Sequence, residues 1–149
     1  MQEKNKFRYA EKCLYEYKRN IAALNVLRED LRVEQAGTDV HAQNYQLNFS
    51  FPGTPSNPVE MRAIKIDTLE GRIKQLERCT KPIEKMISDL DTSENLPNSN
   101  NKILLNILKL LYFGKNTVDD IIEEMNIAKR TFSRKRRELV FLASDYLAF

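Results

Sequence analysis

The apolar residues near the start of the chain follow a helical period. Residues 6 to 35 contain no Gly or Pro, and apolar side chains recur there at steps of three and four. This stripe consists of Leu14, Tyr17, Ile21, Leu24, Leu27 and Leu31. Such spacing places the side chains on one face of an amphipathic helix. Because the pattern stops at Ala36-Gly37, it predicts a first helix that ends there.

A second helical pattern begins near Asn57. Asn57 can cap a helix, Pro58 fits the first turn because its missing N–H is not needed there, and Glu60 can reach back to the cap. Residues at heptad spacing follow, and they are Ile66, Leu69, Ile73, Leu76, Thr80, Ile83, Ile87 and Leu90. Pro82 predicts a kink or split in the three residues before it. The two helices are expected to form a hairpin, a coiled coil with another chain, or both.

The segment 36–57 between these helices is rich in Asn, Gly, Ser and Pro, and we predict a loop. Within it Tyr45, Leu47, Phe49 and Phe51 alternate with polar residues, a period of two that suits an extended arm or short strand. The arm could lie over the helices. Because a lone strand leaves its backbone groups unpaired, the alternative is that two copies of the arm pair in an oligomer.

The pattern predicts a division of the chain after the second helix. Residues 93–101 are polar, contain a Pro and show no periodicity, so we predict a linker. Apolar side chains then repeat at helical spacing until Gly114, and they are Ile103, Leu104, Ile107, Leu108, Leu111 and Tyr112. The prediction is an all-α protein: an oligomerisation region of long helices over 1–92, and a helical domain over 102–149.

The segment from Thr117 to about Leu142 is predicted to be a helix-turn-helix. Thr117 can cap a short helix over 118–125, and Asn126 tolerates the left-handed backbone of a turn. A second helix from Ala128 to Leu142 would direct three side chains inward, and these are Phe132, Leu139 and Ala143. A short helix, a tight turn and a second helix free to enter the major groove are the elements of this DNA-binding motif.

Charge is polarised between the two helices of this motif, although the net charge of the whole chain is only +3. The second helix carries six basic residues and no acid between Ala128 and Arg137, whereas the first carries four acids and no base. Helical spacing places five residues of the second helix on the side away from Phe132, and we predict that they contact DNA. They are Lys129, Arg130, Ser133, Arg134 and Arg137. Lys135 and Arg136 are expected nearer the core. The alternative is a solvated basic helix without a nucleic-acid partner.

The segment LLNILKLLYFGKNTVDDIIEEMNIAKRTFSRKRRELV resembles the helix-turn-helix of sigma-factor region four. The layout of the whole chain resembles the phage late-transcription regulators of the RinA/ArpU family. This resemblance implies an activator that binds double-stranded DNA upstream of late packaging and structural genes. It also implies that Thr131 and Ser133 help to contact the DNA backbone or bases.

Two alternatives to a transcriptional regulator remain open from the sequence. A small terminase subunit also joins a helix-turn-helix to an oligomerising helical part, and a coiled-coil adaptor would bind only protein. The acids Asp119, Asp120, Glu123 and Glu124 are expected to be a solvated face or a surface that contacts host RNA polymerase. In either regulatory or packaging role the chain is expected to form a homo-oligomer.

Enzymatic, metal-binding and membrane functions find little support in the sequence. The only histidine, His41, has no nucleophile motif around it, and no Gly-rich phosphate loop occurs. Cys13 and Cys79 are far apart without a CxxC motif, so we predict two free thiols in a reducing compartment and no metal site. No apolar run approaches a membrane span. We therefore expect a protein without cofactors in the cytoplasm of a bacterial host cell.

Overall fold

Five α-helices and one π-helical turn account for nearly all of the described chain. The structure is a computed structural model that describes residues 2–36, 58–92 and 99–147. Its elements are α1 (Glu3–Ala36), α2 (Pro58–Thr92), α3 (Asn100–Ile107), the π turn (Leu108–Phe113), α4 (Val118–Met125) and α5 (Lys129–Leu147). Because these ranges contain no strand, the predicted all-α class is confirmed. The Tyr45–Phe51 arm, the Asn57 cap and residues 93–98 of the predicted linker lie outside the described residues.

The chain divides into two units at a different place from the predicted one. The first unit comprises Met1–Asn20 and Arg78–Phe149, and the second comprises Ile21–Glu77. Both long helices therefore contribute to both units, whereas the sequence predicted a division at 93–101. The physical reason is that the first turns of α1 and the last turns of α2 share a core with the C-terminal helices.

The core of the first unit draws on every helix. From the two long helices it includes Ala10, Cys13, Leu14, Ile83, Met86 and Leu90. The C-terminal elements add Leu104, Leu105, Ile107, Leu108, Leu111, Tyr112, Ile121, Phe132, Leu139, Val140 and Ala143. About 48 residues alone would bury little apolar surface. Each buried Leu or Ile from the long helices adds about 1.5–3 kcal/mol of transfer free energy, so these helices complete the domain.

The second unit has a smaller described core. Leu24 on α1 and Leu69 and Ile73 on α2 are its buried apolar side chains among the described residues. Two ion pairs join the helices there: Arg28 with Glu77 at 3.0 Å, and Lys65 with Glu34 at 2.6 Å. The Arg28–Glu77 pair lies nearer the surface and contributes about 0–1 kcal/mol, and the gain from Lys65–Glu34 is offset by the cost of burying Glu34. The apolar contacts therefore carry more of the stability of this unit.

Helix α2 keeps its predicted inward stripe but not its predicted break. All eight heptad positions from Ile66 to Leu90 are buried or half-buried, and Thr80 is only 1% exposed. The helix runs without interruption through Pro82, so the predicted split does not occur. Proline removes one backbone hydrogen bond. Burial of Thr80 and Ile83 on either side holds the two turns in place despite this loss.

The two cysteines are joined, which contradicts the prediction of free thiols. Cys13 on α1 and Cys79 on α2 form a disulfide in the first unit, with 6.0 Å between their Cα atoms. Cys13 is only 2% exposed. A separation of 66 residues gives no sequence-level indication of pairing. The pairing depends on α1 and α2 lying side by side, which the cysteine spacing does not encode.

Helix α3 starts earlier and ends differently than predicted. The Ser99 side chain caps it by accepting a hydrogen bond from the Lys102 N–H at 3.2 Å, so residues 99–101 are not linker. The π turn follows directly. At its end Gly114 has φ −90°, and an added Cβ would meet the Lys109 and Leu110 carbonyl oxygens at 3.0 and 3.1 Å. Gly114 is therefore required for space, and Lys115, at φ 54°, adopts the left-handed backbone.

Candidate nucleic-acid interface

The turn between α4 and α5 is fixed by its own hydrogen bonds. Thr117 accepts a hydrogen bond from the Asp120 N–H at 3.2 Å, which caps α4 as predicted. Asn126 ends α4 in the left-handed conformation, at φ 53° and ψ 51°. Its N–H donates to the Glu123 carbonyl, and the Ile127 N–H donates to the Ile122 carbonyl, both at 3.3 Å. The backbone therefore turns within three residues, the length that a helix-turn-helix uses.

Helix α5 is anchored by one apolar face. The Phe132 N–H donates to the Ala128 carbonyl at 2.9 Å, which starts the helix after the turn. Phe132 is 1% exposed, and Leu139 and Ala143 are fully buried, as the spacing predicted. Ile121 of α4 belongs to the same core. Because this face is held, the orientation of the opposite face of α5 is determined.

The predicted DNA-contacting residues lie on the first three turns of α5, and Arg130, Arg134 and Arg137 are on the face opposite Phe132. Five are exposed, and they are Lys129, Arg130, Ser133, Arg134 and Arg137; Thr131 is half-buried. The guanidinium carbon of Arg137 lies 5.9 Å from the Phe141 ring centre. The structure thus groups cations on an exposed helix face, which is an arrangement suited to phosphate contact.

Lys135 is half-buried and bound to neighbouring side chains instead. Its ammonium donates to the Asn100 side-chain oxygen at 2.5 Å and to Glu138 at 3.1 Å, and its side chain is 18% exposed. The Asn100 amide donates to the other Glu138 oxygen at 2.9 Å, and this bond, with Lys135, lowers the pKa of Glu138. The predicted inward position of Lys135 is confirmed, and its charge is used to fix α3 against α5.

Arg136 joins a second internal network, which links α5 to the first helix. Its guanidinium donates to the Glu11 carboxylate from two nitrogens, and its Nε lies 3.4 Å from the Tyr112 hydroxyl. That hydroxyl donates to Glu11 at 3.1 Å. Burial opposes the charge on Arg136, but the bonds to Tyr112 and Glu11 raise its pKa above the usual value. α1, the π turn and α5 are therefore locked together beside the exposed basic face.

We expect Tyr112 to make stability fall at high pH. In an unfolded chain tyrosine loses its proton near pH 10, whereas burial raises the folded pKa of Tyr112. Above about pH 10 the unfolded state binds fewer protons, so the free energy of unfolding decreases as the pH rises through the folded pKa. Tyr112→Phe should lower the free energy of unfolding by about 1 kcal/mol at about pH 8. Between about pH 8 and about pH 11 its free energy of unfolding should fall less than that of the wild type.

Urea unfolding of the wild type and of Tyr112→Phe at these two pH values measures how much the free energy of unfolding of each protein falls. Tyr9→Phe is the matched control, since Tyr9 is also a tyrosine of the first unit but is exposed on α1 and lies outside the Glu11–Arg136 network. An equal decline in wild type and Tyr112→Phe would contradict the assignment.

The acids of α4 form a separate exposed face. Asp119, Asp120, Glu123 and Glu124 are all exposed. Within the described ranges, no group of three or more His, Cys, Asp or Glu residues is arranged to hold a metal ion. None of the helices in those ranges has the length and apolar character of a membrane crossing.

Comparison with protein families places the chain in one of them. A family model described as "Protein of unknown function (DUF1492)" matches residues 63–142, which is more than half of the chain. The chain belongs to the DUF1492 family. In this DUF1492 protein the matched region begins within α2 and ends within α5, so it includes the whole helix-turn-helix. Searches of curated proteins and of solved structures give no match.

The sequence did not reveal which α1 residues lie beside the basic face of this DUF1492 protein. Glu11 and Arg8 come near α5 only because the first turns of α1 pack on the C-terminal helices. Their sequence positions are more than 120 residues away from their partners on α5.

Proposed function

We propose that this protein is a sequence-specific DNA-binding transcriptional regulator. The observation that carries the proposal is the division of basic residues on α5. The half-buried Lys135 and Arg136 are paired with the carboxylates of Glu138 and Glu11. By contrast, Lys129, Arg130 and Arg134 are exposed on a helix that follows a three-residue turn. An exposed set of cations on the second helix of such a motif suits insertion into the major groove.

The chemistry of the exposed face fits both affinity and sequence discrimination. Lysine and arginine neutralise phosphates and release counterions, which supplies affinity. Arginine can also donate two hydrogen bonds to a guanine edge, and Ser133 can bond to a base or a phosphate. Thr131 is half-buried, so its hydroxyl is better placed for a backbone contact near the start of α5.

The broader role follows from the resemblance to the late-transcription regulators. We propose activation of late phage genes in a bacterial cell, with the exposed acids of α4 as a contact for RNA polymerase and with self-association of the chain. The acids suit this role because they lie on the helix that precedes the DNA-contacting one and are exposed.

Selection from a pool of random DNA duplexes tests the proposal. Immobilised wild-type protein is expected to enrich a short motif, and Arg134→Ala/Arg137→Ala is expected to enrich none. A reporter promoter that carries the motif then separates activation from repression, and Glu123→Lys/Glu124→Lys should bind the motif but activate less. Recovery of unselected sequences by the wild type would contradict sequence-specific binding.

A further inference from the structure

An open cavity lies beside the exposed face of α5, between its C-terminal half and the first turns of α1. Its volume is about 570 Å³. The residues that line it are Glu3, Lys4, Phe7, Arg8, Glu11, Arg137 and Phe141. All of them belong to the first unit. Arg137 therefore belongs both to the exposed basic face and to this cavity.

Aromatic rings form the apolar part of the cavity. Phe7 of α1 and Phe141 of α5 meet edge to face, with 5.4 Å between their ring centres. Phe141 remains 42% exposed, and the Arg137 guanidinium lies over its ring. Stacking on an aromatic face restricts a guanidinium without using its hydrogen-bond donors. The donors of Arg137 are thus available to an anion.

The charges around the cavity are mostly positive once the internal network is taken into account. Glu11 is already bound by Arg136 and Tyr112. Lys4, Arg8 and Arg137 remain, with Glu3 as the single opposing charge among the other lining residues. Lys4 and Arg8 are one helical turn apart, so they lie on the same face of α1. Both are exposed.

We propose that Lys4 and Arg8 contact the phosphate backbone of the same duplex that α5 binds. The cavity continues the exposed face of α5 through Arg137, so a phosphate strand leaving the major groove would meet α1 next. The Glu11–Arg136 bond fixes the position of α1 relative to α5, which makes the contact preorganised. This inference rests on the proposed DNA-binding function and extends its binding surface to a second, distant part of the chain.

The phosphate contacts predict a particular change in binding. Lys4→Ala/Arg8→Ala should weaken binding about tenfold, by the same factor for the selected motif and for a scrambled duplex, because phosphates carry no sequence information. The log-log dependence of affinity on salt should become shallower by about 2, since each phosphate contact contributes about 0.9. Arg8→Lys should retain most of the affinity, because a point charge can still meet a phosphate.

Fluorescence anisotropy with both duplexes, between about 50 and 200 mM salt, measures these values. Lys85→Ala is the matched control, since Lys85 is exposed on α2 within the same unit and lines neither this cavity nor the basic face. Circular dichroism of each variant checks the fold.

The outcomes separate this inference from the function on which it rests. If Arg134→Ala loses affinity while Lys4→Ala/Arg8→Ala binds like Lys85→Ala with an unchanged salt slope, α1 makes no DNA contact and the inference is overturned. If the wild type itself shows no DNA binding at about 50 mM salt, the proposed function fails and this inference fails with it. If Lys4→Ala/Arg8→Ala loses affinity only for the selected motif, α1 contacts bases rather than phosphates, and this result would also overturn the inference.

Discussion

Replacement of Arg130 and Arg134 by glutamate is expected to lower DNA affinity at least about a hundredfold. Both side chains are exposed on the face of α5 that lies opposite buried Phe132. Each substitution removes a cation and places an anion where the proposal puts phosphates, so attraction is replaced by repulsion. The loss should be larger than for alanine at the same positions. Fluorescence anisotropy with the selected duplex at fixed salt measures it.

A control with the same change in net charge separates local from general electrostatics. Lys74→Glu/Lys85→Glu alters two exposed lysines of α2, which lie outside the proposed interface. Its affinity is expected to fall only a few fold, because exposed charges that make no contact with the DNA are largely screened by salt. Equal losses of DNA affinity in the two double variants would mean that binding depends only on the net charge of the protein. That result would contradict the assignment of α5 as the DNA-contacting helix.

Reduction of the Cys13–Cys79 disulfide is expected to lower the free energy of unfolding by about 4 kcal/mol. The bond closes a segment of 66 residues, and this segment includes the whole second unit. Closing a loop of that length removes conformational entropy from the unfolded chain. For a chain of this size the loss corresponds to a melting temperature lower by about 10 °C. Thermal unfolding with and without a thiol reductant measures the shift.

The variant Cys13→Ser/Cys79→Ser provides the control for reduction. It should melt near the temperature of the reduced wild type and should not respond to the reductant. Because Cys13 is almost fully buried, serine adds a small polar penalty of its own at this site. A wild type that melts at the same temperature with and without reductant would contradict a stabilising disulfide.

The local elements of the fold could be predicted because their determinants are close in sequence. The Thr117 cap, the left-handed Asn126 and the inward position of Phe132 each depend on residues within one or two helical turns. The heptad stripe of α2 was found for the same reason. Periodicity and capping depend on short stretches of sequence, so such stretches were sufficient to predict these elements.

The arrangement of those elements could not be predicted, because it depends on contacts between distant segments. The polar composition of residues 93–101 indicated a boundary, but Leu14 and Ile83 pack into the same core as the C-terminal helices. The disulfide is a consequence of that same packing. Pro82 was expected to kink or split α2, and the split does not occur because burial of its neighbours outweighs one missing hydrogen bond.

The candidate interface was predicted in part. Helical spacing separated Arg134 and Arg137 from the inward Lys135 and Arg136, and the exposure of these side chains agrees. The partners of Arg136 were not predictable, because Glu11 is 125 residues away. For the same reason Arg8 was not a candidate for DNA contact until its position beside Arg137 was known.

The salt dependence of wild-type DNA binding tests the central claim most directly. Affinity for the selected duplex would be measured by fluorescence anisotropy between about 50 and 200 mM salt, beside a scrambled duplex. The account predicts tighter binding to the selected duplex and a log-log slope of about −4 to −6, as five or six phosphate contacts would give. Absence of binding at the lowest salt would contradict a DNA-binding role for α5.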